Sequence, residues 1–322
     1  MSAAAPPSGA PGQPARRRRR PLLRGAQIAL VAATAYFLSA YLVRSWSSVQ
    51  DHEWALRPGW LALSAAAFLL FYFSQATLWW LLLRGFEVRS PFAVATATWA
   101  KSILARYVPG NVFMFVGRAW MSHAQGLPVD RVSAAMVYEQ ALGVCSALLT
   151  VALLFPFWEY RPGATALSLL AAPVLVALLH PRVFAPLAAG VLRRLHRPPL
   201  GATLGFGAVL TLLGFFVATW VVAGAGAWFL ARGVAGLERS ALPLVTVAYA
   251  LAYVAGMAAF VFPSGIGVRE AVLTASLHGR LPGGVGLAWA LLLRVWVTAI
   301  ELVFVGAAVA VEYLARRRGA GR

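Results

Sequence analysis

Apolar residues run along this chain in long blocks, without the two-residue alternation of a strand or the polar stripe of a soluble helix. Such runs occupy 25–43, 61–83, 133–157, 164–180, 202–231 and 285–313. A helix needs about 20 apolar residues to cross a hydrocarbon core about 30 Å thick, and these runs fall near that length. Two further segments, 92–122 and 242–278, are equally apolar but are broken in the middle. The first break is Tyr107-Val108-Pro109-Gly110-Asn111, and the second is Phe262-Pro263-Ser264-Gly265-Ile266-Gly267. Proline has no amide hydrogen and clashes with the preceding turn, so a helix ends or kinks there. The pattern predicts an all-α polytopic membrane protein with about six full spans and two re-entrant helical hairpins.

The polar segments set the orientation. If both broken segments turn back, regions 1–25, 84–91, 118–131, 180–200 and 314–322 lie on one side and hold 18 of the 28 basic residues. Regions 44–60, 158–163, 232–241 and 279–284 lie on the other side and hold 6. The excess marks the first side as cytoplasmic, with both termini there, in a cell membrane. Each half of the chain then reads span, span, hairpin, span, and the halves are related by inversion. This is a 4+4 inverted-repeat architecture, and paired interrupted segments in two halves point to a transporter site near the midplane. The expected divisions are a disordered basic tail at 1–24, a first membrane repeat at 25–157, a second at 158–313 and a basic tail at 314–322. The loop at about 181–201 is expected to hold a short interfacial helix at 183–195.

Composition agrees. The 322 residues are 61% hydrophobic and only 12% charged, against about 25% charged in a soluble domain. The net charge of +18 would suit nucleic acid, but its placement beside the spans suits anionic lipid headgroups instead. The single cysteine, Cys145, permits no disulfide within one chain, and the histidines show no metal-ligand spacing, so neither a metal nor another cofactor is expected. No nucleophile elbow, Walker loop or zinc-protease motif occurs, and no enzymatic activity is expected. Many of the twelve tryptophans, such as Trp46, Trp54 and Trp60, fall near expected membrane interfaces.

Candidate chemistry gathers at the breaks. In the second, Gly265 and Gly267 allow close backbone approach, and the following helix would aim its free amides at the turn beside Arg269 and Glu270. Such an arrangement suits a phosphate, although the same residues could simply satisfy a packing turn. In the first, Asn111 and Arg118 are the corresponding candidates, with Pro109 and Gly110 forming the turn as Pro263 and Ser264 do in the second. Lys101 could equally snorkel to the membrane edge. Glu139, Arg294 and Glu301 lie inside spans, where a charge costs about 2.5–3.5 kcal/mol on insertion scales, so each needs a partner or a wet cavity. Arg294 and Glu301 could pair with other helices, or with each other through Thr298.

Three stretches, Lys101 to Arg118, Ser133 to Gln140 and Phe262 to Leu273, resemble the transmembrane region of lysylphosphatidylglycerol synthases. The run Pro263-Ser264-Gly265-Ile266-Gly267-Val268-Arg269-Glu270 is the most specific part of the likeness. Ser264 stands where the family often has glycine, and the first hairpin has a longer stretch before Gly117-Arg118. The resemblance implies a lipid-translocating, flippase-like role. Full-length synthases also carry a soluble aminoacyl-transferase domain, which these residues do not contain, so synthase activity is not expected. The substrate implied is an anionic phospholipid or lipid-linked glycan. Arg118, Arg269 and the Gly265 and Gly267 amides would hold its phosphate, with Glu139, Glu270 and Glu301 offsetting the arginines. The alternative is a membrane scaffold for a separate glycosyltransferase or synthase, and a homo-oligomer is compatible with either.

Overall fold

A computed structural model describes residues 36, 39–41, 43–44, 46–107, 112–158, 162–194, 200–259, 262 and 265–320. Most of the expected 25–43 span lies outside these residues. Along the described chain, helices follow one another without a strand. They are α1 (Trp46–Gln50), α2 (Pro58–Gly85), α3 (Phe92–Ile103), α4 (Val112–Ala124), α5 (Val129–Trp158), α6 (Pro162–Leu178), α7 (Pro181–Arg194), α8 (Phe206–Ala235), α9 (Leu242–Ala258), α10 (Val268–Ser276) and α11 (Gly283–Ala320).

Five described helices are long and apolar enough to cross a membrane: Pro58–Gly85, Val129–Trp158, Phe206–Ala235, Arg239–Ala258 and Gly284–Arg318. The expected span at 164–180 is instead the 17-residue α6, which meets α7 at a bend of 76°, and only the two together are long enough. Pro181 is the physical reason, because the residue before a proline is pushed out of the helical region. The chain is thus an all-α polytopic membrane protein, with five such helices, or six if the bent pair is one span.

Helix α2 shows how local sequence sets these elements. Pro58 occupies its first turn, where a missing amide hydrogen costs nothing. At the other end, Glu87 adopts a left-handed φ of 57°. Its N–H donates to the Arg84 carbonyl at 2.9 Å, and the Val88 N–H donates to Leu83 at 2.8 Å. This is the double bond pattern of a Schellman motif, with Val88 and Leu83 both buried as its apolar contact.

The centre of the bundle is the packing of α2 on α8. A Cβ added at Gly226 would come within 3.1 Å of the Phe68 ring, and the Ser64 hydroxyl donates to the Gly226 carbonyl at 2.8 Å. Helix α9 approaches α8 more closely still: a Cβ on Gly224 would lie 2.3 Å from Thr246 Oγ1. In lipid no hydrophobic effect drives helices together, so small residues at contacts supply the van der Waals gain.

Contacts between connections define two ends of the bundle. At one end the Arg57 N–H donates to Gly233 at 3.2 Å, and the Trp228 indole donates to Glu238 at 2.9 Å. The starts of α2 and α9 and the finish of α8 therefore lie together. At the other end Arg131 bridges to Glu87 at 3.1 Å, the Trp80 indole donates to Ser90 at 3.1 Å, and the Leu204 N–H donates to Tyr138 at 3.3 Å. This second end carries the exposed Arg84 and Arg89.

Each interrupted segment folds back on itself. The α3–α4 pair is antiparallel, with Arg118 Nε donating to Ser102 at 2.9 Å and Gln125 to Thr98 at 2.8 Å. It leaves and rejoins the bundle at the second end. The α9–α10 pair is also antiparallel, with Gly265 on Gly256 and Arg269 on Gly256 and Tyr253. It leaves from the first end. The turn residues Pro109, Gly110, Asn111, Pro263 and Ser264 lie outside the described residues.

Candidate functional site

Helix α11 carries Arg294, Glu301 and Glu312 at three heights, and each of these meets a partner from another helix. Seven residues separate Arg294 from Glu301 and eleven separate Glu301 from Glu312, which at 1.5 Å per residue is about 10 Å and about 16 Å. Arg294 pairs with Glu270 of α10 through Nη1 and Oε1. Fully buried Glu301 accepts a hydrogen bond from the Tyr72 phenol of α2 at 2.8 Å. Glu312 pairs with Lys101 of α3 and with Arg316 on its own helix.

The second hairpin organises around Glu270, which is 2% exposed. Its Oε2 accepts the Gly267 N–H at 2.6 Å, three residues back, while Oε1 takes Arg294. One carboxylate thus caps the start of α10 and ties that helix to α11. The Gly265 N–H donates to the Phe262 carbonyl at 3.1 Å. The expectation that the Gly265 and Gly267 amides stand open to a phosphate is therefore corrected: both are used within the chain. A helix start in an apolar setting cannot leave its donors bare, and the acid three residues on reaches back to them.

Arg269 lies beside this cap. Its guanidinium sits 5.6 Å from the centre of the Tyr253 ring, and its stem crosses Gly256, where an added Cβ would come within 2.5 Å of Nε. Gly265 has a φ of +65°, and its own Cβ would lie 2.6 Å from the Gly256 Cα. Two glycines in contact are what let the turn fold so closely on α9.

The first hairpin has a parallel arrangement. Arg118 is 1% exposed and pairs with Glu139 of α5 through Nη1 and Oε2. Its guanidinium lies 4.5 Å over the Trp79 ring. The Trp99 indole donates to the other Glu139 oxygen at 2.7 Å. Among the described residues, Arg118 meets one acid, one hydroxyl and one aromatic face. The Trp99 ring sits edge-on to Phe304, which stacks on Tyr72. This aromatic chain connects the Arg118–Glu139 pair to the Glu301 contact on α11.

Of the sequence candidates, the structure brings Gly265, Gly267, Arg269, Glu270 and Arg294 together in one cluster, and Arg118 with Glu139 in another. Glu301 lies between them. Tyr72, Trp79, Trp99, Ser102, Tyr253 and Gly256 were missed by the sequence reading. Buried Trp79, Trp99 and Trp289 are core residues and not interfacial anchors. The sequence carries no signal for this: Trp79 stands five residues from Arg84, Trp99 two from Lys101 and Trp289 five from Arg294. No cluster of three or more histidine, cysteine or acidic residues suited to a metal occurs among the described residues.

A family model described as lysylphosphatidylglycerol synthase TM region matches residues 26–306. No curated protein matches the chain.

Proposed function

The chain belongs to the lysylphosphatidylglycerol synthase TM region family, and from that membership we propose that it moves a polar, phosphate-bearing lipid or lipid-linked-glycan headgroup between leaflets. The observation that carries the reading is the pair of antiparallel helix hairpins, leaving opposite ends of the bundle, each tied to a neighbouring long helix by an arginine–glutamate pair: buried Arg118 with Glu139 of α5, and buried Glu270 with half-buried Arg294 of α11. In this reading both hairpins are re-entrant and the two halves form an inverted repeat, the arrangement in which transporters build mid-membrane sites. Buried ion pairs contribute little net stability against a well-packed apolar replacement, so their presence in two hairpins argues for a role beyond holding the fold.

The corrected geometry changes the mechanism. The phosphate does not enter open amides; it exchanges with a carboxylate. A headgroup at the second hairpin competes with Glu270 for Arg294 and the Gly267 N–H, and Arg269 beside the cap offers a second guanidinium. At the first hairpin the exchange is with Glu139 at Arg118. Phosphate suits this role because a guanidinium binds it through two parallel hydrogen bonds. The acyl chains stay in lipid throughout.

The test is reconstitution of the purified protein with NBD-labelled phosphatidylglycerol, or with an NBD-labelled polyprenyl-phosphate sugar, followed by dithionite bleaching. Wild-type vesicles are expected to expose inner-leaflet probe at a rate above protein-free vesicles. Arg269→Ala at equal protein content is expected to slow this about tenfold, the loss of one charge-assisted hydrogen bond of roughly 1.5 kcal/mol. Rates equal to protein-free vesicles for both probes sink transport and leave the scaffold role. An unchanged rate for Arg269→Ala removes that arginine from the site.

A further inference from the structure

Helix α7 is the part of the fold that the transport reading leaves unused. It packs at the second end of the bundle, with Phe184 on Tyr138 at 4.6 Å between ring centres and the preceding His180 on Phe206 at 4.7 Å. It leaves the axis of α6 at 76°. If α6 runs across the bilayer, α7 therefore runs close to its plane.

Its sequence sorts into three faces. At about 100° per residue, Phe184, Ala188 and Leu192 centre on one side, Val183, Leu187 and Val191 on a second, and Arg182 and Arg193 on a third. The first face is the packed one, with Ala188 buried. The second is apolar yet open: Val183 is 39% exposed, Leu187 53% and Val191 57%. The third is basic, and Arg182 and Arg193 are exposed. Arg194, also exposed, ends the helix beyond the apolar strip, where its long stem can carry the charge outward. The packed, apolar and basic faces are spaced by roughly 100–130°. A helix buried in protein or crossing lipid needs no such third face, and one in water needs no second.

We propose that α7 is an interfacial helix that binds anionic phospholipid of the leaflet at this end of the bundle. The strip Val183–Leu187–Val191 enters the acyl region, and Arg182, Arg193 and Arg194 meet the phosphates. Charge complementarity selects this occupant: the same end exposes Arg84 and Arg89, so the lipid around it faces a basic rim. The inference rests on the membrane fold alone and stands whether or not the protein moves lipid.

The test places NBD on Leu187→Cys in a Cys145→Ser background, with Val191→Cys as the second site in case the first variant folds poorly. Vesicles are phosphatidylcholine with and without phosphatidylglycerol. The expected result is blue-shifted emission, quenched most strongly by a nitroxide near the headgroup end of the acyl chain. Quenching by aqueous iodide at both sites, or strongest quenching by a nitroxide at the chain terminus, overturns the interfacial position. The lipid-binding half is read by native mass spectrometry of protein extracted from the mixed vesicles. Replacing Arg182, Arg193 and Arg194 by glutamine is expected to lower retained phosphatidylglycerol at least about tenfold, given roughly fivefold per basic residue near the surface. Unchanged retention overturns the arginines' role.

Discussion

At the residue scale the governing fact is that each buried charge meets an opposite charge or a strong donor on another helix. Arg118 has Glu139, Ser102 and the Trp79 face. Removing one member leaves the other charged and enclosed, so Glu139→Gln is expected to lower stability by about 3–5 kcal/mol. The double change Arg118→Met with Glu139→Leu removes both charges and is expected to recover most of the loss. Thermal unfolding in detergent, followed by size exclusion, checks the pair; a double variant no better than Glu139→Gln would show that the pair is not the reason for the loss. The sequence made the charges legible, because a lone acid such as Glu139 in an apolar run demands explanation. It did not make the partners legible. Arg294 and Glu270 are 24 residues apart on different helices, and no local spacing joins them. Nor could it separate Trp79 in the core from a tryptophan facing lipid, since both surroundings are apolar.

At the element scale, backbone conformation decides where helices stop and how near they come. Glu87 holds a left-handed conformation that glycine adopts without strain, and its bridge to Arg131 is exposed and worth little. Glu87→Gly is therefore expected to be neutral or to raise the thermal midpoint, by up to about 1 kcal/mol in stability. Gly265→Ala meets the opposite situation, a left-handed φ with Gly256 only 2.6 Å from the new Cβ. Strain of about 1–2 kcal/mol and overpacking of about 1–3 kcal/mol both act against it. Gly207→Ala, in open space on α8, is the control expected to cost nothing. Measured midpoints in which Gly265→Ala and Gly207→Ala agree would contradict the close packing of the second hairpin. The two breaks were readable from proline and glycine alone. The bend between α6 and α7 was less so, because the apolar run continues past Leu178 to Leu179 before His180 and Pro181. The cap on the second hairpin is hard to see in the sequence, because Gly267 has no side chain to mark a capping box with Glu270 three residues on.

At the scale of the whole molecule, the two ends of the bundle must face different compartments. The end that carries Arg84, Arg89, Arg131 and α7 is expected to face the cytoplasm, because basic residues near spans are retained there. In a Cys145→Ser background, Ala124→Cys lies at that end and Ser240→Cys at the other. A membrane-impermeant maleimide is expected to label Ser240→Cys in right-side-out vesicles and Ala124→Cys in inside-out ones; labelling of both from one side would reject the arrangement. One of the five long helices, Arg239–Ala258, falls largely inside the segment expected to be a hairpin, while the other four were legible in sequence to within five residues of their ends, since run length alone identifies them. Their neighbours were not, because helix contacts in lipid depend on small residues and shape more than on any apolar stripe.

The 38 residues of α11 form one unbroken helix, about 57 Å long at 1.5 Å per residue. Arg294 holds it to the second hairpin, Glu312 holds it to the first, and Glu301 meets α2 between them. A stiff rod held at its middle behaves as a lever. If it tilts about the Tyr72 contact, the grip on one side of that contact moves one way and the grip on the other side moves the opposite way. The two hairpins are then geared in antiphase by a single piece of backbone, and what loosens one turn tightens the other.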